Sequence, residues 1–246
     1  MQDNGGDDMA GKTITLKAFD GGTFSAYLAL PKRKTKSAGV LVIQEIFGVN
    51  KVMRDIADGY AAQGYVALCP DLFWRQEPGI QLTDQSEAEW QRAFQLFQGF
   101  SVDQGMADLI SSLGVLRGHA ACNGRVGAVG FCLGGKLAYL MATRSDCDAS
   151  VGYYGVGIEG ALDEAKKIDK PLLLHIAALD KFCPPEAQKA VIAGLKGKRG
   201  VTTGLYPGVD HAFARLGGEH YNAKAAKLAN DRTATFFKKH LAAKKK

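Results

Sequence analysis

From residue 39 onward the chain alternates between short apolar runs and longer stretches of helical periodicity. Gly39 to Ile46 (GVLVIQEI), Tyr65 to Cys69, Val126 to Val129, Ala149 to Tyr154, Pro171 to Ala177 and Gly200 to Tyr206 read as strands, the first of them buried on both faces. Between and after them, Lys51 to Gln63, Asp84 to Phe100, Asp103 to Arg117, Lys136 to Ala142, Pro185 to Leu195 and Glu219 to Leu241 repeat at helical spacing. Gly64 is placed to end the first of these helices, and Pro70 stops the strand before it. Thr13 to Leu30 alternates instead around Asp20-Gly21-Gly22, the pattern of a hairpin. Strands and helices in strict alternation predict an α/β fold, with a mostly parallel sheet between layers of helix.

One junction is more specific than the rest. The strand Val126 to Val129 runs into Gly130-Phe131-Cys132-Leu133-Gly134-Gly135 and then directly into a helix. A sharp strand-to-helix turn forces its apical residue into a strained backbone conformation, and small neighbours make room for it. Such a turn presents the Cys132 side chain to a cleft and leaves the amide of Leu133 free to donate to a developing oxyanion. The competing reading is a small buried cysteine at a strand end, since free cysteine packs well among apolar groups.

Function in parallel sheets collects at the carboxyl ends of strands. Reading the chain there finds Gln44-Glu45-Ile46-Phe47-Gly48, Pro70-Asp71-Leu72, Cys132, Ala178-Leu179-Asp180 and Asp210-His211. Cys132, Asp180 and His211 stand in the order nucleophile, acid, histidine, the chain order of α/β-hydrolases. A thiol is only partly ionised at neutral pH, so His211 would serve as base, with Asp180 fixing its tautomer. Taken singly, Asp180 could merely open a turn and His211 could be a loop histidine. Three such residues at three strand ends make the joint reading the stronger one. His175, inside Leu172-Leu173-Leu174-His175-Ile176, fits a core or sheet-face position better than a catalytic one. Cys69 and Cys183 lack elbow glycines and read as packing residues.

Composition narrows the class without naming it. The 246 residues are 46% hydrophobic and 23% charged, ordinary for one folded domain. We expect a single domain over 13–241, an acidic disordered extension over 1–12 and a basic tail over 242–246. The net charge of +6 owes five charges to Lys238, Lys239, Lys244, Lys245 and Lys246, so it argues weakly for nucleic-acid binding. The five cysteines are scattered without a C-x-x-C pair, which suits neither a disulfide framework nor a zinc site and points to a reducing, cytoplasmic setting. No signal peptide or membrane-spanning run is read. The expected partner is a small molecule, with no nucleic acid and no membrane, on a monomer or weak homo-oligomer.

Five segments together resemble the dienelactone hydrolase (carboxymethylenebutenolidase) family. They are Gln44 to Gly48, Cys69 to Leu72, Gly130 to Gly135, Gly152 to Gly157 and His211 to Arg215, and the resemblance runs from about Thr13 to the closing helix. It implies an α/β-hydrolase fold with a central, mostly parallel sheet and helices on both faces, and a hydrolase needing neither metal nor cofactor. It also implies that Cys132, Asp180 and His211 form the triad and that Glu45 takes the thiol proton once substrate occupies the site. The backbone amides of Ile46 and Leu133 would form the oxyanion hole. Arg215 would pair with a substrate carboxylate, with Tyr154, Phe47 and Trp90 lining the pocket. The family's second arginine aligns with Trp90 here, its helix tyrosine with Phe94, and the serine after its histidine with Ala212. With those polar groups replaced, the resemblance implies lactone or ester hydrolysis but not dienelactone itself. A broader carboxylesterase with a more apolar substrate remains open, as does a ligand-binding protein on the same scaffold.

Overall fold

The structure, a computed structural model, describes residues 11–33 and 35–242. The expected N-terminal extension lies outside the described residues apart from Gly11 and Lys12, and Lys12 already opens the first strand; of the basic tail only residue 242 is described. Eight strands form one sheet: β1 (Lys12–Lys17), β2 (Thr23–Ala29), β3 (Ser37–Ile43), β4 (Val66–Pro70), β5 (Cys122–Phe131), β6 (Ala149–Tyr153), β7 (Leu172–Ala177) and β8 (Val201–Tyr206). Their spatial order is β1-β2-β4-β3-β5-β6-β7-β8. The β1–β2 hairpin joins β4 antiparallel, and every other pairing is parallel. Every residue of β3 is buried, as its unbroken apolar run requires of a strand covered on both faces.

Among the described residues there are six α-helices, α1 (Lys51–Ala62), α2 (Glu87–Gln98), α3 (Val102–Gly118), α4 (Leu133–Arg144), α5 (Pro185–Leu195) and α6 (Ala223–His240), and all but α2 pack on the sheet. On one face α1 and α6 meet, where Tyr60 and Phe237 touch edge to face. On the other, α3 and α4 pack against the central strands and α5 lies beside β8. A short 3-10 segment, Glu159–Lys167, fills the β6–β7 connection, which the sequence pattern left unassigned. Among the described residues no helix is long and apolar enough to cross a membrane.

Several element ends differ from the sequence reading by a few residues, and two of the differences build the site. Strand β3 stops at Ile43, so Gln44 and Glu45 leave the ladder instead of continuing it to residue 46. Helix α2 starts at Glu87, not at Asp84. Ser86 caps it by accepting from the Glu89 amide, while Glu89 reaches back to the amide and hydroxyl of Thr83. Asp84 is thereby left in the preceding loop, free to turn inward. The chain leaves β3 for β4 on one side and later returns to β5 on the other, so the ends of β3 and β5 flank a topological switch point, where α/β sheets bind their ligands.

Candidate active site

Cys132 sits between β5 and α4 at φ 55°, ψ −115°, a conformation that L-residues rarely adopt. The turn closes only because its neighbours have no side chain: a Cβ on Gly130 would land on the carbonyl oxygen of Gly134, and one on Gly134 would land on that of Ile43. The Cys132 amide donates to the Tyr153 carbonyl at 3.1 Å and ties the apex to β6. Among the described residues, the amides of Leu133 and Ile46 donate to no other protein group; Leu133 directly follows Cys132 in the chain, and Ile46 lines the cleft beside it. Among the described residues the other non-glycine positions with positive φ are Tyr154 (37°) and Ala212 (61°), one packed on His211 and the other following it in sequence. Strain of about 1–3 kcal/mol per residue is thus gathered at this one place.

His211 and Asp180 reach the cysteine from two loops that are fastened together. The Ala178 amide donates to the Tyr206 carbonyl at 3.0 Å, Leu179 to Val209 at 3.0 Å, and Lys181 to the Asp210 carboxylate at 3.2 Å. Asp180 is buried and accepts from His211 Nδ1 at 2.9 Å through one oxygen; its other oxygen accepts from the Phe182 and Cys183 amides. Burial works against a charged His211, but the charge of Cys132 and the hydrogen bond to Asp180 outweigh it and lift the imidazole from 6.5 to about 10. Tyr154 packs on the same ring with centroids 5.1 Å apart, and burial together with the nearby Glu45 charge keeps its phenol well above the ordinary range.

Beside this triad lies a second cluster of charge. Glu45 is buried and accepts from Arg215 through both oxygens, at 2.8 Å from Nε and 3.2 Å from Nη2. The third guanidinium nitrogen, Nη1, donates to Asp84 at 2.6 Å. Arg215, which the resemblance assigns to a substrate carboxylate, is therefore held here by two carboxylates of the chain itself. Its guanidinium also lies 5.0 Å from the centre of the Phe47 ring.

Cys132, His211, Arg215 and Ile46 open onto a cleft of about 380 Å³ whose remaining wall is Phe47, Trp90, Phe94, Phe97, Val156 and Phe182. Trp90, Phe94 and Phe97 form one stripe of α2 at i, i+4 and i+7, a spacing visible in the sequence, although Phe97 was not singled out there. Phe182, two residues past Asp180, closes over His211 at 4.9 Å and was likewise missed. Asp84 was missed because the sequence reading put it inside a helix. Arg92 does not replace the family's second arginine, since it points away from the cleft and pairs with Glu77. His175 is buried at the sheet, bonded to Tyr206 and Thr233, and burial pushes it down to about 3, so it stays neutral. Cys69 and Cys183 are buried, and burial raises both thiols.

Known proteins share this fold and much of this sequence. The model of the dienelactone hydrolase family matches residues 24–241. Carboxymethylenebutenolidase of Pseudomonas putida is 38% identical over 223 residues, covering 91% of this chain and 94% of its own. A protein of Azospirillum brasilense, provisionally given the same name, is 54% identical over 229 residues, covering 93% of this chain and 98% of its own. A solved structure from Klebsiella pneumoniae, provisionally named a dienelactone hydrolase, superposes with a TM-score of 0.79 at 26% identity and covers 92% of this chain and 98% of that one. The eight-stranded sheet, the elbow at its switch point and relatives that match over more than nine-tenths of the chain lead to one conclusion: the chain belongs to the dienelactone hydrolase family of α/β-hydrolases and is a hydrolase of the ester- and lactone-cleaving kind.

Proposed function

We propose that this chain hydrolyses small carboxylic esters and lactones through a thioester on Cys132. The observation that supports the reading most is the strained elbow, which holds a cysteine against the His211–Asp180 pair with two unspent amides beside it. His211 takes the thiol proton, and the resulting thiolate attacks the substrate carbonyl carbon. The carbonyl oxygen becomes an oxyanion facing the amides of Ile46 and Leu133. Collapse breaks the carbon–oxygen ester bond, and the leaving alkoxide takes the proton from His211. In the thioester the sulfur carries no charge, so His211 loses the neighbour that raises it most and turns into a base. It then accepts a proton from water, which attacks the thioester and releases the acid and the thiolate.

Glu45 has a narrower opening for chemistry than the family resemblance gives it. Both of its oxygens are on Arg215, so it is free to take the thiol proton only after a ligand draws Arg215 away. For any other substrate the proton acceptor in this reading is His211. A steady-state assay with para-nitrophenyl esters tests the proposal. Turnover is expected in the wild type and is lost in Cys132→Ala, with a small remnant in Cys132→Ser because a hydroxyl is far harder to ionise. Equal turnover by wild type and Cys132→Ala would overturn it.

A further inference from the structure

The Glu45–Arg215–Asp84 cluster sets one positive charge against two negative ones. Its side chains are at most 11% exposed, so water screens them little. Asp84 is not a passing contact. Gln85 Nε2 donates to its other carboxylate oxygen at 2.5 Å, and the Trp90 indole N–H donates to its backbone carbonyl at 3.1 Å. Burial would raise the Asp84 carboxyl, but the bonds from Gln85 and Arg215 more than offset that and hold it below the usual range, ionised at neutral pH.

A carboxylate-bearing substrate meets two obstacles at this site. It must displace a protein carboxylate from Arg215, and it must enter a cluster whose summed charge is already negative. Arg92, the one cation of α2, is on Glu77 and offers no second anchor. The rest of the cleft suits a different ligand, since Phe47, Trp90, Phe94, Phe97 and Phe182 present aromatic faces and edges in a continuous wall.

We propose that Asp84 is a specificity-determining residue: by holding Arg215 from the loop before α2, it reserves the cleft for uncharged esters and lactones with apolar or aromatic groups and excludes carboxylate-bearing ones. This rests on the hydrolase reading above, with Cys132 as nucleophile. Asp84 acts through Arg215 and takes no part in bond making.

The test compares para-nitrophenyl butyrate with para-nitrophenyl hemisuccinate, acyl groups of similar length that differ by one negative charge. The wild type is expected to favour butyrate in kcat/KM by roughly tenfold to a hundredfold, the span of one charge-assisted interaction. In Asp84→Asn the freed guanidinium accepts the hemisuccinate, and the butyrate-to-hemisuccinate ratio falls by at least about fivefold, mainly through a lower KM for hemisuccinate. Asp84→Ser serves if the asparagine variant does not fold, and the wild-type ratio needs no variant at all. A wild type that turns over both esters alike, or an unchanged ratio in folded Asp84 variants, overturns the role of Asp84 and leaves the hydrolase reading standing. No turnover of either ester above that of Cys132→Ala overturns the hydrolase reading, and this inference with it.

Discussion

The triad and the Arg215 cluster lie against the same cleft but are built in opposite ways. Cys132, Asp180 and His211 stand at the ends of parallel strands, each aimed by its own local backbone. Asp180 and His211 are 31 residues apart and are joined by loops that hydrogen-bond to each other. The cluster instead spans the chain, with Arg215 170 residues from Glu45 and 131 from Asp84. In the proposed reading Cys132, Asp180 and His211 are the reactive unit, and Asp180 and His211 are hydrogen-bonded to each other and to groups of the surrounding loops before any substrate arrives. The cluster is a buried ion network, in which removing one partner strands the others. Mutations in the two should therefore separate activity from stability.

Cys132→Ala breaks the comparison on the triad side. It should lower kcat/KM for an activated ester at least about a thousandfold, about 4 kcal/mol in barrier. Urea unfolding of the same variant should shift by only about 1 kcal/mol, because one small buried atom is lost. Arg215→Met breaks the other side. Glu45 and Asp84 then face each other with no cation between them, and stability should fall by about 3–5 kcal/mol in the same unfolding assay. Adding Glu45→Gln to Arg215→Met should recover part of that loss, and no recovery would mean that the cost lies in packing rather than charge.

A pH measurement sharpens the triad side with a smaller effect. His211 is raised, so the protonated ring is the favoured form from below 6.5 up to about 10. In the wild type its NMR titration should therefore fall near 10, and kcat/KM should decline as the ring loses its proton there. In Cys132→Ala the largest raising influence is gone, and the titration should move down. An unchanged titration would show that Asp180 alone sets the charge of His211.

The same contrast explains what the sequence could and could not tell. The elbow glycines, the strand-end acid and the strand-end histidine are local signals; in the structure the glycines make room for the turn at Cys132 and the acid is hydrogen-bonded to the histidine. Pro185 to Leu195 is a helix to the residue, since Pro185 can open a first turn without an N–H. Asp84 was illegible for a physical reason. Helical periodicity extends back through it, and the Ser86 cap, with Glu89 bonded back to Thr83, stops the helix short and leaves the aspartate in the loop that faces Arg215. The partner of Arg215 was illegible too, because a pairing over 170 residues leaves no trace in spacing. The resemblance named both Glu45 and Arg215 but gave the first to the Cys132 thiol and the second to the substrate, and in the structure they hold each other. The aromatic wall was half legible: Trp90 and Phe94 were visible, while Phe97 and Phe182 become part of it only once α2 and the Asp180 loop pack together.

The central claim is that carbonyl carbon becomes bonded to Cys132 sulfur. It is tested most directly by mixing the wild type with para-nitrophenyl butyrate, quenching in acid within the first turnovers and mapping the adduct by peptide mass spectrometry. The account predicts a butyryl group on the peptide containing Cys132, formed with the burst of para-nitrophenol and absent from Cys132→Ala. A burst with the acyl group on another residue, or a butyryl adduct that persists in Cys132→Ala, would contradict it.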